Sequence, residues 1–500
     1  MMMIKKCFIV SLMILFLAPI IDACLQISVL RYIFPEQFAL EEFEFSDFYF
    51  AEKNDSILSK DVTIVNIGNV SRREIAELIN NISESKPKVI GINAYFDCEG
   101  GLTDSINCPQ LLDTIGNINL SNAIKKAKNV VLISKLLQTT ASLDSDKYDS
   151  IEFSDKPFSG YARNGFANLP VAIKESKYNF NICRSFYPSF KVNGVTQYYF
   201  AIEMAKAYDS IATSKFLARG NEEEIISFSG NINYDMGFPI KEFKGIYKTY
   251  DVAEVLEKRF DPALIKDRIV IIGYLGDKIS LFLDDFGFYT PLNKKPLGRS
   301  VPDMYGTTIN ANIISMILKD QVINVLPNLV ELLIAFAICM IHVFFLIRIN
   351  QYFEKWNEVL SATLIVLMLG LFAFLRIELF NYSIKASFAL TLTSLAISGI
   401  TLSIYNNLYR WWSKIPERPI SPLFDYVFYS IVIMLFSVSF TMENPVRFFG
   451  FCYFMLLILS LILYGLSKWR KLNGEKTFLT FLIVVLLSGS PLVSILESLN

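Results

Sequence analysis

Histidine is almost missing from this chain: 500 residues contain one, His342, and it lies inside a long apolar run. A zinc site needs several Cys or His ligands at short spacing. The seven cysteines, at positions 7, 24, 98, 108, 183, 339 and 452, form no CxxC or Cys/His pattern. Histidine-based catalysis in a soluble domain is excluded by the same shortage. Net charge is also lacking. Lys plus Arg (47) almost balance Asp plus Glu (48), leaving −1, so nothing points to nucleic acid or to a strongly acidic partner. Only 19% of residues are charged against 53% hydrophobic, and the mean hydropathy is +0.39. That is too apolar for an ordinary soluble enzyme. Carboxylate, hydroxyl or thiol chemistry is all that remains, and the expectation is a protein that is not an enzyme and holds no cofactor and no metal.

What is present is a set of long apolar runs. Lys5 and Lys6 precede one from Cys7 to Ile21, with a second patch reaching Leu30. Positive charge followed by an apolar core is an export signal. Residues 1–30 read as an uncleaved signal anchor, because later spans hold the protein in the membrane anyway. Ile21-Asp22-Ala23-Cys24 loosely matches a lipoprotein cleavage box, with an ill-fitting aspartate. Residues 325–500 form a membrane domain of six predicted spans, at about 327–347, 359–379, 384–408, 423–441, 447–466 and 477–496. Each is near the roughly 20 residues needed to cross a bilayer.

Basic residues in the loops set the topology. Arg348 and Lys355, then Arg410, Lys414 and Arg418, then Lys468, Arg470, Lys471 and Lys476 fall on the same side as Lys5 and Lys6. The alternate loops carry only Arg376 and Lys385, then Arg447. The positive-inside rule therefore places the N-terminus inside and residues 31–324 outside, in an inner (cytoplasmic) membrane. The C-terminus then falls outside, and no cytoplasmic domain is expected. His342, near the middle of the second span, is a functional candidate by position, but a neutral ring bonded to a neighbouring helix is the expectation. No span carries the repeated charges or broken helices of a transporter pathway.

Residues 31–324 have the composition of a globular α/β domain. Asp61-Val62-Thr63-Ile64-Val65-Asn66-Ile67-Gly68 reads as a buried strand ending on glycine. Ser71 is an N-cap with Glu74 at capping-box spacing, and Ile75, Leu78, Ile79 and Ile82 recur at helical intervals. Further strands are read at 88–96 and 129–134, with a helix at 119–127 between them. Asn193-Gly194 is the turn of a hairpin, followed by a helix at 199–208, a strand at 224–228 and a short helix at 252–258. Asp267-Arg268-Ile269-Val270-Ile271-Ile272-Gly273 supplies the last core strand. The closing helix, from Tyr305 to Leu318, is read as amphipathic, with Ile309, Ile313, Ile314, Ile317 and Leu318 on one face. Apolar strands alternating with helices predict a mostly parallel sheet covered by helices on both faces.

The strands at Asp61–Gly68, Lys88–Asn93 and Arg268–Gly273, then Thr290-Pro291 and the helix from Gly306 to Leu318, resemble the CHASE2 domain in the same order. The resemblance covers roughly residues 35–320 and extends to the flanking spans. It implies an extracytoplasmic bacterial sensor domain, normally preceded by one span and followed by three. Two departures accompany it. The family's first strand usually ends in paired aspartates, where Gly68-Asn69 stand here. Its second strand usually carries an aspartate at the position of Asn93, and its last helix often a histidine at that of Asn310. The usual output modules are missing, so the resemblance implies a stand-alone sensor that signals through a separate partner.

In a parallel sheet, ligands bind beyond the carboxyl ends of the strands. The candidate ligand-binding residues are therefore Asn69, Asn93, Asp97, Gly273, Asp284, Asp285 and Asn310, with Gly68 and Tyr274 on the same rim. Against this stands the plainer reading that glycines end strands and acidic loops are solvated. Cys98 and Cys108 flank a short loop and form a disulfide candidate, with Cys183 unpaired or replacing one of them. The expected function is a ligand-binding membrane sensor. Its partners are the lipid bilayer, an unknown small ligand and a separate signalling or effector protein, with homo-oligomerisation left open. A membrane scaffold for a protein partner is the alternative, followed by an extracytoplasmic hydrolase or a transporter component.

Overall fold

The computed structural model describes residues 2–26, 47, 49–50, 57–97, 113–138, 148–170, 182–234, 245–279, 287–293, 302–353 and 355–412, with backbone only at 2, 20–26 and 411–412. The chain divides into two compact units. One lies within residues 32–325 and also takes in Leu379–Lys385; the other holds the long apolar helices.

The first element is helix α1 (Met2–Gln26), which belongs to the apolar unit. In the α/β unit, β1 (Val62–Asn66) leads to α2 (Arg72–Glu84), β2 (Val89–Asn93), α3 (Thr114–Ala127), β3 (Val130–Leu137), β4 (Ser150–Phe153) and β5 (Arg163–Phe166). The hairpin β6 (Ser189–Val192) and β7 (Val195–Tyr198) precedes α4 (Phe200–Tyr208) and α5 (Ser210–Leu217). Then come β8 (Ile232–Asn233), β9 (Tyr247–Tyr250), α6 (Val252–Leu256), β10 (Ile269–Gly273) and α7 (Gly306–Leu318).

The main sheet has the order β8-β9-β1-β10-β2-β3-β4, with β5 also pairing β3. Every pairing is parallel except β3 with β4. The strand alternation explains why both faces are covered. Ile64, Ile269 and Ile271 point into one core with α4 and α7, while Val65, Val270 and Ile272 point into a second core with α2, α3 and α6. Burying each such side chain stabilises the fold by roughly 1.5–3 kcal/mol.

Local signals act as expected at several points. Ser71 Oγ accepts from Glu74 N at 3.3 Å, and Glu74 Oε2 accepts from Ser71 N at 2.8 Å, closing the capping box of α2. Asn193 and Gly194 both have positive φ, 50° and 79°, as a tight hairpin turn requires. Helix α3 starts at Thr114, ahead of the predicted 119, because Asp113 caps it by accepting from Gly116 N at 3.0 Å.

Three expectations are corrected. The strand at 224–228 shortens to Glu224–Ile225, which pairs antiparallel with Ser185–Phe186 outside the main sheet. Ile226 N still donates to Arg184 O, at 2.8 Å, but further on the amides leave the ladder: Ser229 N and Gly230 N donate to Asn312 Oδ1, at 2.8 and 3.1 Å. Strand β9, not anticipated, sits between β8 and β1. Helix α7 is buried on all sides from Thr307 to Ile317 rather than amphipathic. Its polar stripe faces protein, because Asn312 Nδ2 donates to Gly230 O and Thr308 O, and Tyr247 Oη donates to Ser315 Oγ at 3.0 Å.

After α7, a short parallel pairing joins Asn324–Val325 to Ile384–Lys385. Phe380, in the same unit, is buried edge-on against Tyr49 and Phe50, with ring centroids 4.7 and 5.7 Å away. The other unit contains α8 (Asn328–Tyr352), α9 (Asn357–Asn381, whose end reaches the first unit) and α10 (Ala389–Trp412). Among the described residues these three are long and apolar enough to cross a membrane. Helices α1, α8 and α10 pack together around Val10, Ile14, Cys339, Val343 and Leu402. His342 is buried there, and among the described residues neither ring nitrogen has a hydrogen-bond partner. The three predicted spans after residue 412 lie outside the described residues.

Candidate ligand cavity

Strands β1, β10, β2 and β3 run parallel, so their carboxyl ends share one edge of the sheet. Helix α7 begins against that edge. Asn93 Nδ2 donates to Thr307 Oγ1 at 3.0 Å, and Thr307 Oγ1 donates to the Tyr274 carbonyl at 3.2 Å. Gly273 makes this approach feasible. A Cβ there would lie 2.4 Å from Thr307 Oγ1 and 3.0 Å from the Asn93 Cβ, so no larger residue fits without moving the helix.

A cavity of about 1100 Å³ opens beside this junction. Its floor comes from Asn69 after β1, Asn93 at the end of β2, and Ser134 and Lys135 where β3 runs on past its pairing with β2. Its far wall is the segment Gly287–Tyr289 with Tyr305, and Gly306, Thr307 and Asn310 present one side of α7 to it. The rings of Tyr274 and Tyr305 meet edge-on, with centroids 5.8 Å apart.

The polar groups of this lining differ in how they are satisfied. Asn168 is already engaged, since its amide both accepts from Leu136 N and donates to Leu136 O. Ser134 Oγ and Asn310 Oδ1, in contrast, are buried and among the described residues have no hydrogen-bond partner. An orphaned buried oxygen is costly, and two lining one cavity mark it as a place where a further group completes the bonding. Among the described residues no side chain caps the first turn of α7. The Lys135 ammonium sits 4.1 Å from the centroid of the Tyr95 ring.

Buried polar residues support the rim from behind. Asn66, fully buried at the end of β1, accepts from Gly68 N and Leu275 N and donates to Gly276 O and Asp251 Oδ1. It thereby fixes the loops after β1 and β10 together. Asp303 holds the far wall: its carboxylate accepts from Thr290 N at 2.8 Å, Thr290 Oγ1 at 2.5 Å and Asn293 Nδ2 at 3.4 Å. Burial outweighs these bonds and pushes the Asp303 carboxyl up to about 7. Neither residue was singled out from the sequence. Asn66 left a signal, as an amide closing an otherwise apolar strand; Asp303 left none, because its partners are 10 and 13 residues away in a loop.

The sequence-derived candidates separate into groups. Asn69, Asn93 and Asn310 line the cavity, as do Gly68 and Tyr274. Gly273 lies beneath Thr307 and serves the packing of α7. Asp97 is not among the lining residues; its carbonyl accepts from the buried Arg72 at 3.5 Å, and Arg72 stacks on Phe158. Asp284, Asp285, Cys98 and Cys108 lie outside the described residues. Cys183 is buried, and burial pushes its thiol up to about 12, so it is a packing residue rather than a nucleophile. Among the described residues no group of His, Cys, Asp and Glu is arranged to hold a metal ion.

No curated protein and no solved structure is significantly similar to the chain. The family model of the CHASE2 domain matches residues 32–344, more than half of the chain. That family is one of extracytoplasmic sensory domains, and here it is accompanied by three helices of membrane-spanning length and composition. The match contains the sheet, the cavity and α7, and it runs on into α8: the chain belongs to the CHASE2 domain family and is a membrane protein with a sensor domain.

Proposed function

We propose that this protein binds a small molecule in the cavity at the sheet edge and passes the event to a separate effector protein through α7 and α8. The observation that carries the reading is the position of α7. Its first turn and Asn310 line the cavity, and its last residue, Leu318, is a few residues from Pro327, where α8 begins. A ligand that contacts α7 in one position and not in another biases its placement by the difference in affinity. The site is read as binding rather than catalytic, since its lining is mostly amides, hydroxyls and rings, with Lys135 and Asp277 as its charged side chains.

The sensor is placed outside the inner membrane. Supporting this, Asn324–Val325 pairs with Ile384–Lys385, so the start of α8 and the end of α9 lie on one side of any bilayer that both cross. That side is the one poor in basic loops, with Arg348 and Lys355 at the opposite ends of the two helices.

The test is a thermal-unfolding screen of the full chain in nanodiscs against small metabolites of positive, negative and zero charge. Ser134→Phe, which fills the cavity, serves as the control. Compounds that raise the unfolding midpoint of the native protein but not of S134F support the reading. If compounds of every charge class leave the native midpoint unmoved, the reading fails.

A further inference from the structure

Taking the cavity as a ligand site, as above, we infer that its ligand is an organic anion: a carboxylate or phosphate group joined to an apolar, ring-sized body. Three independent features of its lining support this. The first is α7, a helix of 13 residues whose opening N–H groups have no side-chain cap and whose Gly306 and Thr307 line the space. Such a terminus attracts negative charge through its free N–H groups and its dipole.

The second feature is the pair of orphaned oxygens. Asn310 stands one turn behind Gly306 and Thr307 on the same side of α7, and Ser134 lies within β3; each is about as buried as a core residue, at 2% and 1% exposure. The Ser134 hydroxyl is free to donate to an anionic oxygen. Asn310 Oδ1 accepts from a protonated or hydroxyl group on the same ligand.

The third is Lys135, next to Ser134. Glu152 is its cross-strand neighbour on β4, yet no ion pair forms between them; the ammonium instead rests on the Tyr95 ring. Strand β3 adjoins β2, whose Asn93 touches the first turn of α7, and Lys135 and that turn line the same cavity. The carboxylate of the lining, Asp277, belongs to the loop after β10, where its backbone carbonyl lies 3.3 Å from where a Cβ on Gly68 would be. Tyr274, Phe288 and Tyr305 supply flat apolar surface for the rest of the ligand.

The experiment uses four probes of one shape on the full chain in nanodiscs: phenylacetate, phenyl phosphate, 2-phenylethanol and phenethylamine. Thermal unfolding and titration calorimetry are read at equal probe concentrations. At least one anion should raise the unfolding midpoint where the alcohol and the amine do not, and which one does so separates a carboxylate from a phosphate ligand. Lys135→Gln should weaken that anion at least tenfold, and Lys135→Arg should retain most of the affinity. Binding of the alcohol or amine as tight as that of the anions, or an anion affinity unchanged in K135Q, overturns the inference while the ligand cavity stands. No shift with any probe, alongside hits from the wider screen, also overturns the inference alone. Silence in both overturns it together with the reading on which it rests.

Discussion

At Asp303 the cost of burying a charge exceeds the gain from three donated hydrogen bonds, so the carboxyl titrates near 7 instead of at its ordinary 3.8. Between those values the folded state holds a proton that the unfolded chain has released. Stability from this group is therefore complete below about pH 4, falls as pH rises, and is fully lost above about 7; the change is at most roughly 4 kcal/mol. Asp303→Asn keeps the bonding pattern without the charge. Subtracting its denaturation profile from that of the native protein should leave a component that declines from pH 4 to 7; a flat difference would refute the assignment. Gly273 offers a second test at this scale. Gly273→Ala drives a methyl into Thr307 and should cost about 1–3 kcal/mol. Adding Thr307→Ala should recover part of that loss, a coupling readable in a double-mutant cycle by urea unfolding.

Among the elements, α7 depends most on partners distant in sequence. Asn312 accepts from Ser229 N and Gly230 N and donates to Gly230 O and Thr308 O, all in the buried interior. Asn312→Ala strands several of these groups at once and should cost about 3 kcal/mol or more. Hydrogen exchange should then quicken at Ser229 and Gly230 first; protection unchanged at both would argue against the network. These partners also explain what could be read from the sequence. Strand β1, the capping box of Ser71 and the Asn193-Gly194 turn rest on contacts within a few residues, and each was legible. The 224–228 strand is shorter than its composition suggests because Ser227 N turns to Met316 Sδ, 89 residues away, and Ser229 N and Gly230 N turn to Asn312, 83 and 82 residues away. The polar stripe of α7 looked solvent-facing for the same reason. The cavity was legible in position, since strand ends in a parallel sheet converge on one edge, and Asn69, Asn93 and Asn310 line it. Ser134, Lys135 and the Asp303 clamp were not, because their importance lies in what they face across the fold.

For the molecule as a whole, the sensor unit is not one continuous stretch of chain. Leu379–Lys385 belongs to it, and Phe380 is buried against Phe50, which in turn meets Phe228 at 6.0 Å. Phe380→Ala should destabilise this unit by about 3–5 kcal/mol, measured as a fall in the midpoint of its tyrosine near-ultraviolet signal. An unchanged midpoint would mean that the segment adds nothing to the fold. In chain order, then, α8 and most of α9 form an insertion within the sensor, between Val325 and Leu379. Anyone transplanting this sensor onto a different output protein would need a cassette that continues through Lys385. A splice made at Val325, where the globular composition ends, would leave a strand and a core aromatic behind in the donor.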